Sequence, residues 1–291
     1  MKADAVHIKA VIFDLDGVIY RGRTPVPGGS ATLDHLREEG CSAYFFTNNS
    51  TRSRESYVEL LASFGITSDP EHIVTSASLT VQYLHETYPG RRPVVLVVGE
   101  IGLKEELERA GIRVIRNLRP GQPLDAVVVG MDRKFSYARL HAAQQALLTG
   151  AEFIATNRDA TYPVEGGVIP GGGSIVAAVA TAAEREPRTM GKPSEWSGRL
   201  IAHHAGVRPD EALMVGDRIE TDIEMGRRAG LWTCQVLTGI SDLAEALTTA
   251  EEHRPHWVIP SIAELPELIA ELAEGTRPPF DWAQAGAGAR P

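Results

Sequence analysis

The sequence predicts an α/β fold: a doubly wound parallel sheet with a second α/β domain inserted into it. Three observations carry this. Short apolar runs rich in Val, Ile and Phe alternate along the chain with amphipathic segments of helical period. Several of the helical segments end in Gly, as a helix C-terminus favours. Two stretches that combine charge with proline, Tyr88–Pro93 and Glu184–Pro193, divide the chain.

In chain order the expected strands are KAVIFDLD, SAYFFTNN, PVVLVVGE, LDAVVVGM, AEFIATN, EALMVGD, LWTCQVLTG and HWVIP. Between them the expected helices include ATLDHLREEG, ESYVELLASFG, LKEELERAG, YARLHAAQQALLTG and SEWSGRLIAHHAG. Such alternation is what parallel strands with crossover helices require. The expected domains are a discontinuous core of residues 1–79 and 187–291 and an insert of residues 80–186. The tail from Gly275, GTRPPFDWAQAGAGARP, is rich in Gly, Pro and Ala and reads as loose.

Composition narrows the function classes. The 291 residues suffice for two domains, and 43% hydrophobic residues suit a globular core. A net charge of −9 argues against a broad nucleic-acid surface, although a local basic pocket remains compatible with it. Two cysteines, Cys41 and Cys234, imply no disulfide framework and fit a reducing cytoplasm. The N-terminus lacks the apolar run of a signal peptide, and no stretch is long and apolar enough for a membrane span.

The chemistry concentrates at strand ends. VIFDLDGVIY begins as a buried strand and then places Asp14 and Asp16 two residues apart. On a continuing strand both would face one side and repel, and burial would penalise their charge further. A divalent cation relieves that repulsion, since hard cations take carboxylate oxygens. A turn explains Asp16-Gly17 but not Asp14, which lies between Phe13 and Leu15. In FFTNNS, Thr47, Asn48, Asn49 and Ser50 close a second apolar strand, where they suit an oxyanion or simply cap the next helix. MGKPS puts Lys192 before a proline that suits the first turn of the helix SEWSGRLIAHH; there the lysine and the helix N-terminus could share one anion. In LMVGDRIETDIEMG, Asp217 ends a third strand and could join the first acids at a metal; Glu220 and Asp222 also read as ordinary helix-start acids. GGVIPGGGS lacks the features of a phosphate loop and reads as a turn with close packing. His203 and His204 are adjacent on a helix and diverge, which does not suit a metal pair.

Four motifs in order, DLDGV, Thr47, Lys192 and GDRIETD, resemble the haloacid dehalogenase superfamily over nearly the whole chain. DGVIYRG, FFTNNSTRS, ATNRDATYP, PGGGSIVAA, GKPS, GDRIETDI and VLTG narrow the resemblance to its nitrophenylphosphatase-like subfamily of phosphoglycolate, glycerol-phosphate, pyridoxal-phosphate and nucleotide phosphatases. The resemblance implies a Rossmann-like core and an inserted α/β cap. It implies Asp14 as nucleophile, forming an aspartyl-phosphate, and Asp16 as the acid and then base. It implies Mg²⁺ held by the Asp14 side chain, the Asp16 carbonyl and Asp217, with Asp222 supporting them. Thr47, the Asn48 N–H, Asn49 and Lys192 would bind the phosphoryl group.

Rivals lie in the same superfamily and outside it. Resemblance to the dehalogenase branch would predict no Asp16, a phosphate-transferring ATPase would need membrane helices, and a non-catalytic phospho-ligand sensor would have lost Asp14 or Asp16. The expected partner is a small phosphorylated metabolite, without nucleic acid or membrane; the oligomeric state is open, a homodimer included. The loop TNRDATYPVEGG is the candidate leaving-group contact, with Tyr162 foremost and Asn157 and Asp159 shaping the loop. A polyol or acid phosphate such as glycerol phosphate or phosphoglycolate is expected, with a nucleotide monophosphate as the alternative because Tyr162 could stack on a base.

Overall fold

Two parallel sheets organise the chain in the computed structural model, which describes residues 4–115, 117–119, 122–164 and 166–288. The first sheet runs in the order Trp257–Ile259, Trp232–Val236, Ala212–Gly216, Ala10–Phe13, Ser42–Thr47, Ile73–Thr75. Numbered along the chain, this is the doubly wound order in which the winding reverses beside the first strand. Ala10–Phe13 is wholly buried and apolar, as a strand covered on both faces must be. Its register sets Phe13 against Val215 on one side and Phe45 on the other. The three strands that carry the chemical motifs are therefore neighbours, and their carboxyl ends share one edge.

The second sheet runs Arg188–Thr189, Glu152–Ala155, Ala126–Val129, Val94–Val98, Arg113–Ile115. Its core joins Leu96, Val98, Val127, Val129 and Phe153 to Val176 and Val179 of the helix Gly172–Ala183. The chain packs as two compact units, residues 1–46, 58–73 and 192–291, and residues 47–57 and 74–191. Residues 47–57 go with the second unit for local reasons. Arg54 pairs with Glu106 at 2.9 Å and Glu55 with Arg109 at 2.8 Å. A Cβ on Gly102 would lie 2.5 Å from the Thr51 carbonyl, so helix and loop meet backbone to backbone.

All eight expected strands and all five expected helices are present. Two expectations need correction. The helix at SEWSG starts at Glu195 after an N-cap at Ser194, so Pro193 precedes its first turn. The tail is held rather than loose through its described part, because two hydrogen bonds to its backbone and one aromatic ring tie it down. Phe280 donates its N–H to the His256 carbonyl (2.9 Å), and the Trp257 indole N–H reaches the Pro278 carbonyl (3.1 Å). Trp282 packs on Ile219, Ile223 and Ala246 and opens a helix, Trp282–Gly288. Residues 289–291 lie outside the described residues. Among the described residues no helix is long and apolar enough to cross a membrane.

Candidate active site

Asp14 stands where the strand Ala10–Phe13 stops. Its N–H makes the last bond along the strand, to the Val215 carbonyl (2.9 Å). The chain then turns: Ile19 N–H returns to the Leu15 carbonyl (2.9 Å) and Gly17 N–H to the Tyr20 carbonyl (2.7 Å). This turn resolves the crowding of the two acids. Leu15 is buried, the Asp14 side chain is 14% exposed, and Asp16 is exposed. Gly17 takes φ +84°, and a Cβ there would lie 2.3 Å from Asp217 Oδ2. Only glycine allows both the left-handed turn and that approach.

Lys192, 3% exposed, is no surface lysine. Its Nζ lies 2.5 Å from Asp14 Oδ1, 2.7 Å from Asp222 Oδ1 and 3.1 Å from the Phe46 carbonyl oxygen. Burial alone would discharge it, but Asp14 and Asp222 outweigh burial and raise its pKa. Burial pushes the Asp14 carboxyl well above its usual range; Lys192 pulls it back, while Asp222 and Asp217 push it up further. Asp222 sits on a π-helical turn, Ile219–Ile223, and its Oδ2 accepts from the backbone N–H of Asp217 (3.2 Å) and Arg218 (3.1 Å). Asp217 accepts from Ile240 N–H at 2.8 Å. Burial and then the Asp222 charge raise its pKa to about 6.

One oxygen from each of Asp14, Asp217 and Asp222 lies within 4.8 Å of the others. Two buried carboxylates and the partly buried Asp14 face one ammonium, so negative charge is in surplus, and the donors are all oxygen. That set fits a hard divalent cation. Asp222 spends one oxygen on two backbone donors and the other on Lys192, which suits orienting its neighbours.

The second unit arranges its own candidates. Thr47 ends the strand Ser42–Thr47, 7% exposed, and its Oγ1 accepts from Asn49 N–H (3.2 Å). The Asn48 side chain donates to both oxygens of Asp159 (3.1 and 3.2 Å). The Asn48 carbonyl accepts from Asn157 Nδ2 (2.7 Å) and Ser76 Oγ (2.6 Å). Asn49 Oδ1 accepts from Thr51 N–H (2.8 Å), and its Nδ2 donates to the Tyr162 hydroxyl (3.1 Å). Asp14, Lys192, Asp217 and Asp222 thus cluster in the first unit, and Asn48, Asn49 and Tyr162 in the second, while Asp16 stands exposed beside Asp14.

Sequence reasoning missed the close-packed glycines around these groups. A Cβ on Gly191 would lie 2.3 Å from Asn48 Oδ1, and one on Gly239 would lie 1.9 Å from Asp217 Oδ2. Both belong to quoted motifs, GKPS and VLTG, whose glycines carry the signal. The reading of GGVIPGGGS as close packing agrees with the structure: Cβ atoms on Gly171 and Gly173 would lie 2.3 and 2.2 Å from backbone oxygens of Asp159 and Arg158.

With this geometry in place, comparison with known proteins is informative. A sequence model of haloacid dehalogenase-like hydrolases matches residues 11–113, and a second HAD-hydrolase-like model matches residues 189–265. A glycerol-3-phosphate phosphatase of Gallus gallus is 38% identical over 91% of this chain and 93% of its own. Among solved structures, a p-nitrophenyl phosphatase from Archaeoglobus fulgidus superposes with a TM-score of 0.82 at 34% identity, covering 90% of this chain and 99% of that one. A glycerol phosphate phosphatase from Mycobacterium tuberculosis in complex with magnesium gives 0.81 at 34% identity, covering 92% and 80%.

Proposed function

Because the chain belongs to the haloacid dehalogenase-like hydrolases, in their nitrophenylphosphatase-like branch, and is a phosphatase, we propose that it is a Mg²⁺-dependent hydrolase of small phosphomonoesters with Asp14 as nucleophile. The observation that carries this reading is the buried Lys192 ammonium against Asp14 in a surplus of carboxylates at the switch point of the sheet.

In the first step an Asp14 carboxylate oxygen attacks phosphorus and the bond to the leaving oxygen breaks, with Asp16 giving that oxygen its proton. In the second, Asp16 takes a proton from water, water oxygen bonds to phosphorus, and the acyl-phosphate bond to Asp14 breaks to release inorganic phosphate. Lys192, Thr47, the Asn48 N–H and Asn49 hold the phosphoryl oxygens, and Asn49 Oδ1 also steadies its own loop through Thr51 N–H (2.8 Å). Positioning and charge stabilisation supply most of the rate in such transfers. Asp14, Asp217 and the Asp16 carbonyl would hold Mg²⁺, with Asp222 orienting them; when bound, the ion neutralises charge on the phosphoryl oxygens. Asp14 faces the Lys192 ammonium while Asp16 is exposed beyond it, which gives the two neighbouring acids different work.

Residues 80–186 serve in this reading as a cap that admits small metabolites, and glycerol phosphate or phosphoglycolate is the preferred substrate. Two relatives named as glycerol phosphate phosphatases support that choice. A nucleotide monophosphate or pyridoxal phosphate is the second reading, favoured by a Tyr162 ring anchored through its hydroxyl and able to stack. Two buried free cysteines, Cys41 and Cys234, support a cytoplasmic site of action. The test is phosphate release from glycerol phosphate, phosphoglycolate and AMP, in Mg²⁺ and in EDTA. Activity must require the metal, and Asp14→Asn must lower kcat by at least ~10⁴, about 5.4 kcal/mol of barrier. A folded Asp14→Asn protein that keeps a tenth of the rate removes Asp14 as nucleophile.

A further inference from the structure

The second unit has a switch point of its own, and the catalytic reading makes no use of it. Numbered along the chain, its strands run five-four-three-one-two, so the winding reverses between Val94–Val98 and Ala126–Val129. Ligands of open α/β sheets bind outside the carboxyl ends of strands at such a point. A cavity of about 770 Å³ opens there, between Gly99–Ile101 and Asp132–Lys134. Its volume suits an organic molecule the size of a nucleoside monophosphate and is far larger than an inorganic ion needs.

The lining has two characters. The walls are apolar, with Leu96, Leu118 and Ala142. The rim carries Lys104, Arg133, Lys134 and Arg139 against Glu100 and Asp132. Both carboxylates are already neutralised. Arg133 grips Glu100 through two bonds of 2.6 Å, and Arg139 pairs with the buried Asp132. Four cations against two anions leave the rim positive, in a chain whose net charge is −9. The helix Ile101–Arg109 also opens here, with no side-chain cap on its N-terminal N–H groups. Apolar walls beneath a cationic rim select an organic anion.

That helix also reaches residues 51–55. Ile101 and Lys104 line the cavity, while Gly102 abuts Thr51, Glu106 holds Arg54 (2.9 Å) and Arg109 holds Glu55 (2.8 Å). A shift of the helix is therefore passed by direct contact to residues 51–55, which follow Thr47–Asn49. We propose that the cavity is a second ligand site, for an organic anion of nucleoside-monophosphate size, and that its occupancy is felt at residues 47–57. This does not rest on the catalytic roles assigned above.

The test uses the full chain in EDTA, so that turnover is off, with AMP as the probe. Hydrogen exchange with and without AMP should show protection at residues 96–104 and 132–142 and a change at 47–57. Calorimetry should show AMP binding at least tenfold weaker in Lys104→Glu/Lys134→Glu and in Ala142→Phe than in the wild type. No binding by the wild type, or affinity unaltered in both cavity variants, overturns the site. Protection confined to residues 14–20 and 214–222 does the same, since AMP would then sit at the catalytic cluster. Protection of the cavity segments without any change at 47–57 overturns the coupling. The exchange experiment needs no variant, so misfolding of either one leaves the proposal exposed to refutation.

Discussion

Lys192→Met should make the stability of this acid cluster depend more strongly on a bound cation. Methionine keeps the length and the apolar stem but removes the charge that Asp14 (2.5 Å) and Asp222 (2.7 Å) share. Removing one partner of a buried pair typically costs ~3–5 kcal/mol, because the remaining charge is uncompensated. The carboxylates can escape part of that cost by taking up a proton. Asp14 is already pushed upward by burial, and Lys192 is the group that pulls it back. Without the lysine, the folded variant holds a proton that the unfolded chain gives up above roughly pH 4. The folded state then binds more protons than the unfolded state, so stability falls as pH rises. The loss against wild type should be small near about pH 5 and approach ~3–5 kcal/mol near about pH 8. At ~2–4 °C per kcal/mol for a chain of this order of size, the melting temperature should drop by roughly 10 °C at the upper end. The assay is thermal unfolding by circular dichroism in EDTA across that range, repeated in Mg²⁺. Magnesium should restore more stability to the variant than it adds to the wild type, by mass action on a more negative site. Equal melting temperatures near pH 8 in EDTA, or a deficit that does not change with pH, would refute the view that Lys192 compensates this cluster.

Other perturbations separate roles within and away from the site. Asp16→Asn should lose ~10²–10⁴-fold in kcat for an alkyl phosphate and less for p-nitrophenyl phosphate, whose leaving group needs no proton; equal losses, with phosphorylation rate-limiting, would contradict an acid role. Tyr162→Ala should alter kcat/KM for the preferred metabolite by more than about tenfold, and p-nitrophenyl phosphate turnover far less, while Tyr162→Phe isolates the bond to Asn49; uniform effects would show that the loop does not select the leaving group. Gly239→Ala should weaken Mg²⁺ activation by displacing the Asp217 carboxylate, which a Cβ would approach to 1.9 Å; an unchanged magnesium titration would sink that role. His256 is held neutral: burial and then Arg227 lower its pKa to about 4, and Arg227 donates to Nε2 at 2.6 Å. Its folded value lies below the unfolded one, so the unfolded state takes the proton first and stability is lost as pH falls from about 6.5 toward about 4, by on the order of 2–3 kcal/mol. His256→Gln should flatten that part of the melting-temperature profile.

What was legible in the sequence follows from how local each signal is. Strand Ala10–Phe13 announces itself because burial on both faces demands an unbroken apolar run. The same holds for Val94–Val98 and Ala126–Val129. The helix Ser76–Thr87 was missed because it carries Ser and Thr at buried positions 76 and 80, where an amphipathic pattern expects apolar groups. Their hydroxyls bond to the carbonyls of Asn48 (2.6 Å) and Ser76 (2.7 Å), so polar side chains occupy the inner face at little cost. The tail was misread for the opposite reason. Gly, Pro and Ala dominate its composition, but the Trp282 ring and the Phe280 backbone N–H decide its fate, and their partners Ile219, Ile223 and His256 lie tens of residues away in sequence.

The same distinction divides the candidate site. Asp14, Asp217 and Lys192 are recognisable because each follows an apolar run or a glycine at a strand end, a position visible from neighbours in the chain. Asp159 reads from the sequence only as shaping its loop, because its bond to Asn48, which stands 111 positions earlier, leaves no local signal. Nor was the divergence of Asp14 and Asp16 derivable from spacing, since a two-residue interval implies one face only while the strand continues. The strand ends at Phe13, Leu15 turns inward, and Gly17 accepts a left-handed conformation against Asp217. Those three local facts let one carboxylate face Lys192 and the other face solvent. The different placement of the two acids that a nucleophile and a leaving-group acid need is therefore set by a turn and not by the acids themselves. Moving that turn without touching either acid, as Gly17→Ala would, should impair both roles together: Mg²⁺ activation should weaken and the leaving-group dependence of kcat should shift in the same variant. If Gly17→Ala changes one and leaves the other at its wild-type value, the two acids are positioned independently and the turn is not their common support.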